Sequence, residues 1–355
     1  LGRNEINIDY DFQYHYQKKK HLRGLLMKPS QIVSALETLL VIRQPAFLWG
    51  PPGVGKSQVV AQLTQKLGLE LVDIRAVLLD PVDLRGLPRI DDNGAAVWSP
   101  PAFLPRKGRG VLFLDELNTA PPLVQAACYQ LILDRKLGEY ALPDGWTILA
   151  AGNRETDRSV THRMPSALAN RLVHLDFEPD IEDWLDWAAE NGITPELRAF
   201  LRFRPKLLHD FDPKRQDKAF PSPRSWEFAS RILAAKPGKD AAYALIKGSV
   251  GEGAAAECMG FLRIYDQLPA PETVLAEPGS VDIPDDPAVI CAICESVARK
   301  ASAASMPSLA VLASRLPTEF GVLLMRDAAA ANPDIVETEA FGAWARANSD
   351  VLVNA

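Results

Sequence analysis

Residues 46–57 read Ala-Phe-Leu-Trp-Gly-Pro-Pro-Gly-Val-Gly-Lys-Ser, an apolar run that enters a G-x-x-x-x-G-K-[ST] pattern from Gly50 to Ser57. No other stretch limits the possible folds as strongly, because the pattern predicts a strand, a phosphate-binding loop and a helix in that order. Glycine allows backbone turns in which a Cβ would clash. Successive N–H groups and the N-terminus of the next helix then face an anion. Gln58 to Leu67 supplies that helix with an amphipathic pattern. Gly50, Pro51, Pro52, Gly53, Val54, Gly55, Lys56, Ser57 and Gln58 are therefore the expected contacts for a nucleotide. Lys56 is expected to reach the β- and γ-phosphates, and the Ser57 hydroxyl to ligate Mg²⁺.

The rest of the chain narrows the class. Its 355 residues suffice for two or three domains and a sizeable core. A net charge of −6 argues against a dedicated nucleic-acid binder. No apolar run approaches the roughly 18 residues that cross a bilayer, and no signal peptide is visible. Four cysteines do not make a disulfide scaffold, which sets a reducing cytoplasm as the default. Cys291 and Cys294 form a lone C-x-x-C without the second pair that a zinc site requires, so buried helix positions are expected.

From about residue 45 to 178, strand-like runs at 46–49, 69–74, 110–114, 147–151 and 172–177 alternate with helical stretches. The alternation predicts an α/β fold, a parallel sheet covered by helices on both faces, with ligands at the carboxyl ends of the strands. Two further motifs fall at such ends. Val111-Leu-Phe-Leu-Asp-Glu finishes a buried run in two acids, a placement that packing alone does not explain. Asp115 is placed to hold Mg²⁺ through water, and Glu116 to polarise the water that attacks a γ-phosphate. Ile148-Leu-Ala-Ala-Gly-Asn delivers the Asn153 amide, either to the attacking water or phosphate or merely as a turn former.

Taken in order, Gly50–Ser57, Asp115-Glu-Leu-Asn-Thr-Ala-Pro-Pro, Ala150-Ala-Gly-Asn, Ser166-Ala-Leu-Ala-Asn-Arg and Ala219-Phe-Pro-Ser-Pro-Arg-Ser-Trp resemble the AAA+ ATPases of the MoxR branch. That branch writes an arginine where this chain has Thr119, so no role of that arginine carries over. The resemblance implies a P-loop NTPase sheet of five parallel strands in the order 5-1-4-3-2, a helical lid, and a ring, usually of six subunits, with ATP at each interface. It further implies that Asn153 is sensor 1, Arg171 an arginine finger acting on a neighbour, and Arg224 sensor 2. Arg154, Arg158 and Arg163 lie near enough to share the finger's duty. Relatives of the CbbQ and NorQ kind imply a chaperone task on a client enzyme, often with a partner that carries a von Willebrand factor A domain. A nucleic-acid motor and a nucleotide-gated switch without turnover are the competing readings of the same core.

The expected domains are an extension at 1–26, an AAA+ α/β domain at 27–178, a connector and lid at 179–268, and a Pro-rich break with C-terminal helices at 269–355. Ser30 is expected to cap a helix over residues 31–41. Two hairpin signals interrupt the α/β core. One is centred on Asn93-Gly94, and the other occupies 137–146. Leu87, Trp98 and Tyr140 on these inserts are candidates to contact a partner or to pack beneath their own hairpins.

Overall fold

In the computed structural model the described residues are 26–157, 164–215 and 217–348. The expected extension with its Lys18-Lys19-Lys20 run lies outside them apart from Leu26, and so do Arg158, Arg163 and residues 349–355. The chain divides into two compact units, one running to Asp183 with a short return at 211–215, the other holding Trp184–Asp210 and the residues from Asp217 on.

The first unit runs β1 (Leu26–Met27), α1 (Pro29–Ile42), β2 (Ala46–Trp49), α2 (Lys56–Lys66), β3 (Glu70–Arg75), α3 (Pro81–Arg85), β4 (Leu87–Ile90) and β5 (Ala96–Ser99). It continues through β6 (Gly110–Asp115), α4 (Pro122–Asp134), β7 (Lys136–Leu137), β8 (Tyr140–Ala141), β9 (Trp146–Gly152), α5 (Ser166–Ala169) and β10 (Val173–Phe177). The main sheet has the order β1-β10-β2-β9-β6-β3, and every pairing in it is parallel. From β10 to β3 this is the 5-1-4-3-2 order, with β1 as an added strand outside β10.

Period-two alternation sorts the central strands onto two faces. Ala46, Leu48, Val111, Phe113, Leu149 and Ala151 pack with Ile32 and Leu36 of α1 and Val60 and Leu63 of α2. Their neighbours Phe47, Leu112, Leu114, Ile148 and Ala150 pack with Val124, Cys128 and Leu131 of α4. Burial on both faces is why these strands read as continuous apolar runs rather than alternating ones.

Trp146 closes the end of the sheet opposite the motif-bearing ends. It is fully buried, its Nε1–H donates to Lys107 O at 3.0 Å, and a Cβ on Gly110 would lie 2.8 Å from its ring. Trp146→Ala is expected to lose about 3–5 kcal/mol of stability, with Trp146→Phe losing less, read as the urea midpoint of the first unit.

Ser30 is not the cap of α1. The helix starts at Pro29, with Lys28 as its N-cap residue. Pro29 takes the first helical position, where its missing N–H is no loss. The Ser30 N–H donates instead to Asp183 Oδ2 at 2.7 Å, and Lys28 Nζ lies 3.2 Å from Asp183 Oδ1. Burial alone would raise the Asp183 carboxyl, but the bonds from Ser30 and the Lys28 ammonium outweigh it and hold it below the usual carboxylate range.

The second unit is helical. It follows α6 (Ile181–Glu190), which begins in the first unit, with α7 (Pro195–Phe203), α8 (Pro223–Ala234), α9 (Lys239–Val250) and α10 (Glu252–Tyr265). Then come α11 (Pro271–Ala276), α12 (Pro287–Ala298), α13 (Met306–Arg315), α14 (Thr318–Ala331) and α15 (Glu339–Ala347). The Pro-rich stretch 269–287 does not divide this unit, because contacts cross it. Arg198 and Arg202 of α7 each pair with the buried Glu295 of α12 at 3.1 Å, and Arg202 also pairs with Asp327 of α14. Cys291 and Cys294 are buried in α12. Their thiols point to Ala199 O at 3.8 Å and Phe320 O at 3.6 Å. Burial pushes the Cys291 thiol up to about 12 and raises Cys294 as well, as suits inert core groups.

Candidate functional site

Because the strands are parallel, their carboxyl ends gather on one edge of the sheet, and three motifs meet there. Gly50 leaves β2 with its N–H on Gly152 O of β9 at 3.3 Å. The loop then turns through Gly53 (φ 79°) and Gly55 (φ 98°), both in the region that favours glycine, before α2 starts at Lys56. Val54 points into the core, so only its backbone is available to an anion. Gln58 is exposed in the first turn of α2.

Lys56 Nζ donates to Gly50 O at 2.7 Å, to Pro51 O at 3.0 Å and to Asn153 Oδ1 at 3.2 Å. The Ser57 hydroxyl donates to Asp115 Oδ2 at 2.6 Å. Asp115 Oδ1 accepts the Glu116 N–H at 2.9 Å. Lys56, Ser57, Asp115 and Asn153 thus gather in one cluster, and Glu116 adjoins it. Glu116 sits at φ 55°, a left-handed kink in which a non-glycine residue is uncommon, and its side chain is exposed. Such a kink is a local strain that needs support. Thr119 supplies some of it by donating both its N–H (3.1 Å) and its hydroxyl (2.8 Å) to Glu116 O.

The set Ser57 Oγ and Asp115 Oδ2 consists of hard oxygen donors already in contact, with only two protein ligands. This suits Mg²⁺, which keeps several waters and binds through one or two protein oxygens plus substrate phosphates. One strand over, burial raises the Asp73 carboxyl and the Asp115 charge raises it further, partly offset by Arg75. Arg75 lies opposite Asp115 in the β3–β6 ladder.

The arginines separate by place. Arg154 follows Asn153 but is tied to β10, with Nη2 on Phe177 O at 3.0 Å and Nε 3.4 Å from Asp176. Arg171 is exposed between α5 and β10, its Nη1 donating to Ala167 O at 3.0 Å and its carbonyl accepting from Gln44 Nε2 at 3.0 Å. Val173 pairs with Ala46, so Arg171 lies at the amino end of the sheet. The loop follows the carboxyl end of β2, roughly 13 Å away along four strand residues. Arg224 belongs to the second unit, exposed in the first turn of α8 behind the Ser222 cap.

The hairpins also differ from one another. Asp91 N–H donates to Ala95 O, and Gly94 takes φ 78°, a three-residue turn with glycine at its left-handed position. Pro88 pairs with Trp98 and Ile90 with Ala96, which puts these four on one face, and all four are exposed. Leu87 is exposed on the opposite face. Tyr140 instead packs inward, its hydroxyl donating to Pro105 O at 2.6 Å and pushed up to about 12 by burial.

Three residues with evident roles carried no expectation from the motifs. Asn118 is buried beneath the Glu116 turn, and its Nδ2 donates to Asn153 O at 2.7 Å. Trp49, the last residue before the loop, donates from Nε1 to His174 Nδ1 at 2.9 Å, and His174 Nε2 donates in turn to Ala169 O at 2.9 Å. Asn118 was visible as a lone amide two residues past the Asp115-Glu116 pair. The Trp49–His174 link was not, because 125 residues separate its partners.

Residues 45–172 match the family model of the AAA domain, dynein-related subfamily. That stretch is an AAA+ domain. Its boundaries enclose β2 to α5 and every cluster residue named above. Midasin of Giardia intestinalis is 28% identical over 195 residues, 51% of this chain and 4% of midasin. The ATPase family gene 2 protein homolog B of Homo sapiens is 34% identical over 103 residues, 28% of this chain and 13% of that protein. The chain therefore spans a small fraction of these relatives' length. Among solved structures, NtrX of Brucella abortus with ADP aligns with a TM-score of 0.39 and 14% identity over 97% of this chain and 74% of that one. A Thermotoga maritima RuvB mutant aligns with a TM-score of 0.37 and 16% identity over 70% and 73%. Among the described residues no helix is long and apolar enough to cross a membrane.

Proposed function

We propose that this chain is an Mg²⁺-dependent ATP hydrolase of the MoxR kind, a ring-forming motor that remodels a protein partner. The observation that carries the reading is the contact of Ser57 with Asp115 at the strand ends, with Lys56 and Asn153 joined beside it. Lys56 binds and orients the β- and γ-phosphates once they displace its bonds to Gly50 O and Pro51 O. Ser57 and Asp115 would hold Mg²⁺, which would supply neutralising charge to the phosphates. Glu116 takes a proton from the attacking water, and Asn153 holds that water in line.

Arg171 serves the site of the next subunit, because its own loop lies across the length of the sheet. Arg224 reports nucleotide state from the lid. A hexamer is the expected ring. The exposed apolar face of Pro88, Ile90, Ala96 and Trp98 supports a protein partner rather than a small solute. That partner is a client enzyme, engaged with a protein carrying a von Willebrand factor A domain. Four free, buried thiols support the reducing cytoplasm as its setting.

The test is phosphate release from ATP by the full chain, with and without Mg²⁺, beside Lys56→Ala. Turnover that requires Mg²⁺ and falls at least about tenfold in the variant is expected from the loss of a charge-assisted contact. Turnover indifferent to both would sink the proposal.

A further inference from the structure

We infer that Asn118 is a positioning residue for Asn153, and that Gly152 is glycine because the Asn118 amide occupies the space of its side chain. Asn118 lies in the 3₁₀ turn Leu117–Thr119 that follows Asp115 and Glu116, and it is 2% exposed. Its Nδ2 donates to the main-chain oxygen of Asn153 at 2.7 Å. A Cβ built on Gly152 would lie 2.0 Å from Asn118 Oδ1 and 2.6 Å from its Cγ, so the amide rests directly on a bare Cα. Packing alone does not account for an amide here. Asn118 Oδ1 is buried with no hydrogen-bond partner among the described residues, and an apolar side chain would fill the same space without that loss. What an apolar side chain cannot do is donate to Asn153 O.

The consequence concerns two groups that must address one water. Asn153 is gripped at both ends, its carbonyl by Asn118 and its side-chain oxygen by Lys56 at 3.2 Å. Glu116 is gripped by its own turn, through Thr119 and through the Asp115 carboxylate. Asn118 belongs to that turn and reaches across to the residue that follows β9. It therefore sets Asn153 relative to Glu116, which neither residue does by itself. A misplacement of about 1 Å at such a site slows the chemistry without removing the substrate's binding contacts.

This inference rests on the proposed ATP hydrolysis, and its test separates the two. Asn118→Asp keeps the shape but replaces the donor by an oxygen facing Asn153 O; Asn118→Ala removes the amide. Both variants of the full chain, Asn153→Ala, and each double variant are assayed for kcat, KM and binding of a fluorescent ATP analogue, with thermal midpoints alongside. A positioning role lowers kcat about 10–100-fold with KM and nucleotide affinity within about threefold, and the double variants are no slower than Asn153→Ala alone. Wild-type kcat in Asn118→Asp overturns the inference. So do losses that multiply with Asn153→Ala, or nucleotide affinity that falls in step with kcat. If Asn118→Ala fails to fold, Asn118→Asp decides by the same criteria. A wild type that turns over ATP no faster than Glu116→Gln sinks the hydrolysis reading and this inference together. An active wild type with unaffected Asn118 variants sinks this inference alone.

Discussion

Arg171→Ala is expected to slow ATP turnover by about 10³-fold or more while leaving nucleotide binding nearly intact. The separation of effects follows from the sheet. Arg171 precedes β10 at the amino end, whereas Lys56, Ser57, Asp115 and Asn153 gather at the carboxyl ends, so the arginine contributes nothing to binding in its own subunit. Its guanidinium donates to Ala167 O and the residue is exposed. Mixing supplies the decisive arm. Arg171→Ala subunits retain a working loop, Lys56→Ala subunits retain the arginine, and a blend of the two regains turnover that neither has alone. A blend as inactive as its components, or an Arg171→Ala protein at the wild-type rate, rules out action in trans.

Glu116→Gln is the second large effect. Glutamine matches glutamate in shape but accepts no proton, so turnover is expected to fall about 10²–10⁴-fold with ATP still bound. Glu116 directly follows Asp115 at a left-handed kink, and its side chain is exposed. Single-turnover phosphate release, compared with equilibrium binding of ATP, gives the answer. Equal rates for variant and wild type leave a nucleotide-gated switch as the surviving reading.

The sheet was legible because buried parallel strands are short apolar runs, and Ala46–Trp49 was readable to the residue. The loop was legible because phosphate binding restricts backbone as well as side chains. What could not be read was long-range. Ser30 looks like a cap, yet the acceptor at that helix start is Asp183, 153 residues away. β1 has two residues, too few for a pattern, and takes its place only by pairing with Asp176 and Phe177. Leu87, Trp98 and Tyr140 are alike as apolar residues on inserts, but Pro105 O captures the Tyr140 hydroxyl while the other two remain exposed. Asn118 was in view as a residue and hidden as a role, because its partner is a main-chain oxygen 35 residues away, just past β9.

One property of the sheet bears on how copies of the chain behave when crowded. β3 pairs with β6 on one side, and among the described residues no strand follows it on the other. An outermost strand offers unpaired N–H and C=O groups to any extended peptide that drifts near, and is a common seed of insoluble fibres. Here the strand is short and exposes Glu70 and Arg75, with β-prone Ile74 turned inward. Charge on such a border makes a foreign strand unwelcome there, and so guards copies of the chain against fusing their sheets when crowded.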